Sequence, residues 1–466
     1  MAAARKKRLR QGYTTGACAA AAAKAAAMAV AGQPAPAAVE IPFPDGSRHR
    51  FAINRLRPAA TNGDGGNAPG GRGEPEAGAH GCTATVIKDA GDDPDVTNGA
   101  AIEATVWKLG SDTNFLPGCC GLESWCRKLV SDPNFPDAVF QPYEGVTDHG
   151  GHEVSGHRVP QVAASGAAMR TPVREPARSP QDAVPCDRLR SAGLWLARGA
   201  GVGVVTKPGL AIAPGEAAIN PVPRRMIAAA VAEVWAGQLP PPLLVTIAVV
   251  DGERLAGKTL NHRLGIVGGL SILGTTGIVR PVSAKAWTAT IEAALDVARA
   301  AGLAEVVLAT GRTSEKGVMG WLQLPEEAGV MMGDYLHFTL QAAGRRGFTR
   351  LHLAGMWAKL VKAARGVPQT HVRHGVVEVE QAVTLLAELA AAGGGELEAG
   401  LAAELAAANT VREVYDKLAA AGRPELIRAV CGQAGEYAAA TAGLPVTVHL
   451  VDSRARVLLT VEGSKR

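Results

Sequence analysis

Three carboxylates crowd one short segment, Asp92, Asp93 and Asp95, in the run Lys88-Asp89-Ala90-Gly91-Asp92-Asp93-Pro94-Asp95. Like charges this close repel one another in water. Such a cluster holds a cation, accepts amide hydrogen bonds or orients a polar substrate. An Asx-rich turn uses the same residue types and is the plainer reading. A second stretch, residues 264–281, reads LGIVGGLSILGTTGIVRP. Its glycines, Gly265, Gly268, Gly269, Gly274 and Gly277, allow positive φ and let a ligand approach the main chain. Ile266, Val267, Leu270, Ile272 and Leu273 call for burial, while Ser271, Thr275 and Thr276 add hydroxyls. The expectation is backbone bent sharply around something bound, with a tight turn between core elements as the alternative. Neither GxGxxG nor a Lys-Ser/Thr P-loop is present, so the spacing names no ligand.

Other groups could meet an anion. Thr14, Thr15 and Gly16 precede an alanine run, and the first turn of that helix offers amides to a negative charge. Lys207 lies in Thr206-Lys207-Pro208-Gly209. Asn220 precedes Pro221-Val222-Pro223-Arg224-Arg225, where cations sit at a helix start that the dipole disfavours. An anion nearby would explain them, and so would a solvated surface pair. Cys119, Cys120, Cys126, His149, His152 and His157 are residue types that ligate zinc or cobalt. No CxxC pair accompanies them and the His spacing fits no finger, so no resident metal is expected. His371 and His374 follow a helix carrying Lys359 and Lys362.

The elements that must position these groups come next. At 466 residues and 47% hydrophobic, the chain is long enough for two or three domains with cores of their own. A net charge of +5 is modest, and no Lys/Arg stripe interleaves with aromatics, so nucleic acid is not an expected partner. Seven dispersed cysteines argue for a reducing compartment, and a cytoplasmic setting is expected. Arg5-Lys6-Lys7-Arg8 before alanines imitates a signal peptide, but Lys24 and the Gly12-to-Gly16 segment oppose that reading. The strongly apolar runs are too short to span a bilayer. The chain could act as a homo-oligomer.

Thr14 or Thr15 should cap a helix that Gly32 and Pro34 stop. Residues 38–56 read as a hairpin, 82–87 and 101–106 as strands, Pro221 and Pro223 as an extended entry to a helix of about three turns ending at Trp235, and 243–250 as a strand. Residues 58–81 and 109–190, rich in Gly, Pro and Asp, read as insertions. From Ser283 the pattern turns to α/β, with a helix over 284–301, strands at 305–309 and 350–353, and a helix over 335–344. Alternating strands and helices imply a parallel sheet, which binds ligands beyond the carboxyl ends of its strands. Gly311 and Gly355 stand in the loops there. Residues 376–440 read as packing helices, and 446–460 as a closing hairpin.

Taken in order, GYTTGACAAAAAKAA, VIKDAGDDPDVTNGA, VTKPGL, AAINPVPRRMI, KTLNHRLGIVGGLSILGTTGIVRPVS and GMWAKLVKAARGVPQTH form a series. This series resembles the cobalt-precorrin-5B C1-methyltransferase family of anaerobic cobalamin biosynthesis, over about three quarters of the chain. The resemblance implies S-adenosylmethionine as methyl donor and cobalt-precorrin-5B, a carboxylate-rich tetrapyrrole, as acceptor. It implies an α+β N-terminal domain, residues 1–282, beside a Rossmann-like α/β domain with a largely parallel sheet, residues 283–466. Two segments depart from the family pattern. Gly311-Arg312-Thr313-Ser314 replaces a Gly-Asn-Tyr-Gly-like turn, and Met356-Trp357 replaces a His-Pro-like pair.

Methyl transfer from a sulfonium is an in-line displacement with a neutral leaving group, so alignment is the main demand on the protein. The candidates for the donor are Gly268, Gly269, Gly274, Thr275, Thr276, Gly311 and Gly355. Those for the acceptor's carboxylates are Thr14, Thr15, Gly16, Lys207, Asn220, Arg224, Arg280 and Lys359. Should a proton have to leave the ring, Asp92, Asp93 or His371 could take it. Two alternatives use the same features differently: a nucleotide-hydrolysing enzyme built on the glycine loops, and a non-catalytic cobalt or tetrapyrrole carrier built on the Cys/His stretch.

Overall fold

Alanine favours helix and adds no bulk, and the alanine run forms α1, Thr15–Val30. Thr14 caps it, its Oγ1 accepting from the Ala17 amide at 3.2 Å. The computed structural model describes residues 9–59, 81–109, 194–235, 240–281, 283–369 and 378–463. Within it α1 is buried on almost every side, with only Lys24 and Met28 partly exposed. One side meets α2, Pro221–Ala232, and another meets a five-stranded sheet.

That sheet runs in the order β4 (Arg55–Pro58), β5 (Gly81–Ile87), β6 (Ala101–Lys108), β9 (Leu243–Val249), β7 (Leu194–Arg198). Burial alternates along β6 and β9, as expected of strands with one face on a helix. The expected hairpin is β2 (Ala38–Pro42) with β3 (Arg48–Ala52). Two short pairs then pin the glycine-rich stretch. β1 (Gly12–Tyr13) pairs antiparallel with β11 (Ile278–Val279), and β8 (Val204–Val205) with β10 (Ile266–Val267). A short helix α3, Gly252–Ala256, lies between β9 and β10.

From residue 284 the chain builds a second five-stranded sheet. α4 (Ala284–Ala300), β12 (Glu305–Ala309), α5 (Arg312–Leu322), β13 (Gly329–Met331), α6 (Leu336–Gly344), β14 (Arg350–Gly355) and α7 (Trp357–Ala364) follow in turn. Helices α8 (Val379–Ala392), α9 (Ala399–Ala406), α10 (Val411–Ala420) and α11 (Pro424–Ala442) lead to β15 (Val446–Val451) and β16 (Val457–Gly463). The spatial order is β13-β12-β14-β15-β16, with the first four parallel and β16 antiparallel. The strand order reverses at β12: the next strand in sequence pairs on one side and β14 on the other. Such a point opens a crevice at the carboxyl ends.

The two largest apolar clusters do not share residues. One runs from Ala17 to Ile272 and includes the α1 alanines; the other runs from Ile291 to Leu450 and includes α11. Sequence periodicity locates β12 and α4 to within a residue, but α5 and β13 are additions it did not supply. Gly317 and Gly320 weaken the helical signal of α5. Gly317 is needed there because a Cβ would lie 2.6 Å from the Ala455 carbonyl.

Candidate functional site

All five glycines of residues 264–281 adopt positive φ, from 73° at Gly265 to 157° at Gly269. The expected sharp bending is therefore real. Its causes are close approaches within the chain. A Cβ on Gly269 would lie 2.3 Å from the Gly201 carbonyl, and one on Gly274 would lie 2.4 Å from Thr14 Oγ1. Gly265 folds onto the Lys207 stem, and Gly277 onto the Phe43 ring. Leu270 and Ile272 are buried, whereas Val267, Leu273, Thr275, Thr276 and Arg280 are exposed. The stretch is thus half core and half surface, and Gly268 has open space where a Cβ would stand.

Its exposed half crosses the start of α1. The Leu273 amide donates to Thr15 Oγ1 at 2.9 Å, and the Gly16 amide donates to the Leu273 carbonyl at 3.1 Å. The Thr14 amide donates to the Gly277 carbonyl at 3.0 Å. Several groups expected to meet an anion, the Gly16 and Ala17 amides among them, thus have partners inside the chain.

Arg224 is also engaged. It is 5% exposed, its Nε donates to the Ile219 carbonyl at 2.6 Å, and it pairs with Glu216 at 2.8 Å. Glu216 is an anion that offsets the dipole penalty expected for this cation. Asn220 caps α2 through its extended backbone, with no side-chain cap bond, and its amide donates to the Ile272 carbonyl.

The acidic run is organised by cations. Asp89 binds the Arg10 guanidinium with both oxygens. The Arg10 amide donates to Asp92 at 2.6 Å. Lys88, 2% exposed, donates to Asp95 at 2.6 Å. Burial raises the Asp95 pKa, but Lys88 and Thr97 outweigh it and the net shift is downward. Asp92 is exposed and Asp93 partly so. His371, His374 and the six Cys and His residues between 119 and 157 lie outside the described residues. Among the described residues no group of three His, Cys, Asp or Glu is placed to hold a metal.

At the carboxyl end of the parallel sheet, Thr310 and Gly311 join β12 to α5. The Thr310 amide donates to the Ala354 carbonyl at 3.0 Å, tying the loop to β14. Ser314 Oγ donates to the Gly311 carbonyl at 2.9 Å. Gly311 has extended backbone, and a Cβ there would meet nothing within 4 Å. Gly355, in contrast, lies against Leu360, 3.0 Å from where its Cβ would stand. After β14 comes Trp357, 5% exposed, whose buried indole N–H has no hydrogen-bond partner among the described residues. Lys359 pairs with Asp334, which follows β13, so α7 is tied to the same crest.

The two halves of the chain meet through ion pairs. Lys207 reaches Glu327 at 2.7 Å and holds its carboxyl below the usual range. Arg263 reaches Glu315 at 2.6 Å, and His262 lies 3.0 Å from Glu326. A small cavity beside them is lined by Leu260, Arg263, Leu264, Thr290, Glu327 and Met331. Sequence reasoning missed Arg263 and Glu315. Arg263 stands inside a quoted motif, but nothing in the spacing announces a partner 52 residues away.

Comparison with known proteins decides the family. A family model described as CbiD matches residues 2–122 and 181–281, and one described as the CbiD C-terminal domain matches residues 369–462. A protein of Desulfotalea psychrophila (strain LSv54 / DSM 12343) is 45% identical over 98% of this chain and 99% of its own length. The chain belongs to the CbiD family. A Geobacter sulfurreducens relative is 41% identical over 93% of this chain and 92% of its own. Both relatives bear the name cobalt-precorrin-5B C(1)-methyltransferase. A solved cobalamin biosynthesis protein (cbiD) from Archaeoglobus fulgidus aligns with 76% of this chain and 79% of its own at 21% identity and a TM-score of 0.31. The fold assignment rests on this chain's own mixed α/β topology. No helix of the described residues is long and apolar enough to cross a membrane.

Proposed function

We propose that this CbiD-family chain transfers the methyl group of S-adenosylmethionine to C1 of cobalt-precorrin-5B, giving cobalt-precorrin-6A. The observation that carries this is 45% identity over nearly the whole of both chains to a protein named for that reaction. An in-line displacement requires surfaces that hold donor and acceptor in line, and it needs no nucleophile from the protein.

The donor lies in the crevice at the carboxyl ends of β12 and β14, beside Gly311 and Gly355. Open space at Gly311 and a buried, unpartnered indole donor at Trp357 support this placement, and the reversal of strand order is where such sheets take nucleosides. With the donor read at Gly311, the acceptor is read along the exposed half of the glycine-rich stretch, where Thr275 and Thr276, expected from sequence as donor contacts, stand exposed and are reassigned to it. Arg280, exposed on the same stretch, is the cation offered to its carboxylates, while the other two candidates, Lys207 and Lys359, are paired with Glu327 and Asp334. Residues 1–282 and 283–466 act as an α+β domain and a Rossmann-like domain, a division supported by the two separate apolar clusters. The dispersed cysteines support a cytoplasmic setting.

Gly311→Val tests the donor site. A Cβ there meets nothing within 4 Å and the backbone is extended, so the variant is expected to fold, which circular dichroism checks. S-adenosylhomocysteine affinity, read by calorimetry, should fall at least about tenfold because the side chain occupies the ligand's space. Wild-type affinity would remove the donor from this crevice. Anaerobic incubation with cobalt-precorrin-5B and a labelled donor, with the methyl position read by mass and magnetic resonance, tests the reaction itself.

A further inference from the structure

Arg263 sits directly before the glycine-rich stretch. Its Nη1 donates to Glu315 at 2.6 Å, and its Nε faces Glu326 at 3.7 Å. Glu315 is 4% exposed and lies in the first turn of α5, the helix that opens from Gly311. Gly329, the first residue of β13, leaves room for its carboxylate: a Cβ there would lie 3.0 Å from Glu315 Oε1. One guanidinium therefore spans the helix after β12 and the turn before β13. Two residues along, Gly265 packs on the Lys207 stem, and its carbonyl accepts from the Thr206 amide at 2.7 Å and the Thr206 hydroxyl at 2.8 Å. Lys207 in turn holds Glu327. The path from Gly311 through Glu315 and Arg263 to Gly265 is continuous, and it links the segment after β12 to the glycine-rich stretch.

We infer that the Arg263–Glu315 pair is the positioning contact of methyl transfer, setting the register of the donor crevice against the surface that holds the acceptor. Neither residue touches the reacting atoms. The inference rests on the donor and acceptor placement given above. The pair is mostly buried, with Glu315 4% exposed, and it joins the first turn of the helix opening from the donor loop to the residue just before the glycine-rich stretch. Arginine suits the task because its planar fork fixes direction as well as charge.

The test measures kcat, both KM values and S-adenosylhomocysteine affinity in the full chain. Arg263→Met should lower kcat about tenfold or more, since small misplacements cost alignment, while donor affinity stays within about threefold. Arg263→Lys should restore part of kcat by keeping the charge without the fork. Because Arg263→Met alone leaves Glu315 buried and unpaired, the double variant Arg263→Met/Glu315→Gln removes both charges and guards against misfolding. It should fold with wild-type circular dichroism and show the same loss of kcat. Wild-type kcat in the folded double variant would overturn the inference. So would a kcat loss matched by an equal loss of donor affinity, which would mark the pair as part of the donor pocket alone. Unchanged affinity in Gly311→Val would overturn the donor placement and this inference together. Unchanged kcat in the double variant, with Gly311→Val behaving as expected, would remove the inference only.

Discussion

Thr15 and Leu273 exchange hydrogen bonds across 258 residues of sequence: the Leu273 amide donates to the Thr15 hydroxyl at 2.9 Å, and that hydroxyl donates to the Leu273 carbonyl at 3.3 Å. The glycine-rich stretch is thereby fastened to the first turn of α1 by a side chain that is 3% exposed. Thr15→Val keeps the shape and removes the hydroxyl. It leaves the Leu273 amide without its side-chain acceptor, and should cost about 1–3 kcal/mol of stability in urea unfolding. Thr15→Ser, which keeps the hydroxyl, should recover most of that.

Gly274 tests the same crossing from the other strand of contact. Its φ of 130° is one that side chains rarely adopt, and its Cβ would strike Thr14 at 2.4–2.6 Å. Gly274→Ala should destabilise by about 2 kcal/mol or more through combined strain and overlap. Gly268→Ala faces open space and carries only the strain of φ at 78°, so it should cost about half as much. Thermal unfolding of the two variants side by side separates the terms.

Lys88 and Asp95 form a lopsided pair, the lysine side chain 1% exposed and the aspartate side chain 25%. Removing the carboxylate strands a buried cation. Asp95→Ala should therefore destabilise by about 3–5 kcal/mol, whereas Lys88→Met, which leaves no buried charge behind, should cost less. Equal losses in chemical denaturation would contradict this asymmetry.

His449 supplies a pH signal. It is 1% exposed, its Nε2 lies 3.1 Å from His352 Nδ1, and its Nδ1 lies 3.1 Å from Thr460 Oγ1. Burial, and then the neighbouring His352, push it down to about 4 from an ordinary value of 6.5. Between those values the unfolded chain binds a proton that the folded chain refuses. Its contribution to stability is present above pH 6.5 and is lost as pH falls toward 4, by about 1.4 kcal/mol per pH unit. His449→Gln should flatten unfolding free energy against pH over that window. An unchanged slope would assign the signal elsewhere.

Much of this architecture is legible from local chemistry. The alanine run with its Thr14 cap, the period-two strands 82–87 and 101–106, and the β12 segment 305–309 each announce themselves, because each meets its neighbours through one repeated pattern. The glycines of 264–281 are also legible as positive-φ positions. What occupies their space is not, since Thr14, Gly201 and Phe43 come from distant parts of the chain. Arg224 shows the same limit. A cation at a helix start implies an anion, and sequence alone does not say that Glu216, eight residues back, supplies one. The Arg263–Glu315 pair is harder still, because neither partner breaks a local rule and only tertiary packing makes them meet.

The bare helix α1 has a consequence for how this chain can change over generations. Positions 17–23 and 25–27 are closed to water and occupied by the smallest chiral side chains or Cys18. A larger replacement there adds atoms to a closed, packed core, and glycine would loosen the helix itself. Drift is thus pushed outward to loops and faces, and the helix becomes a fixed ruler from which the distances of everything wrapped around it are measured.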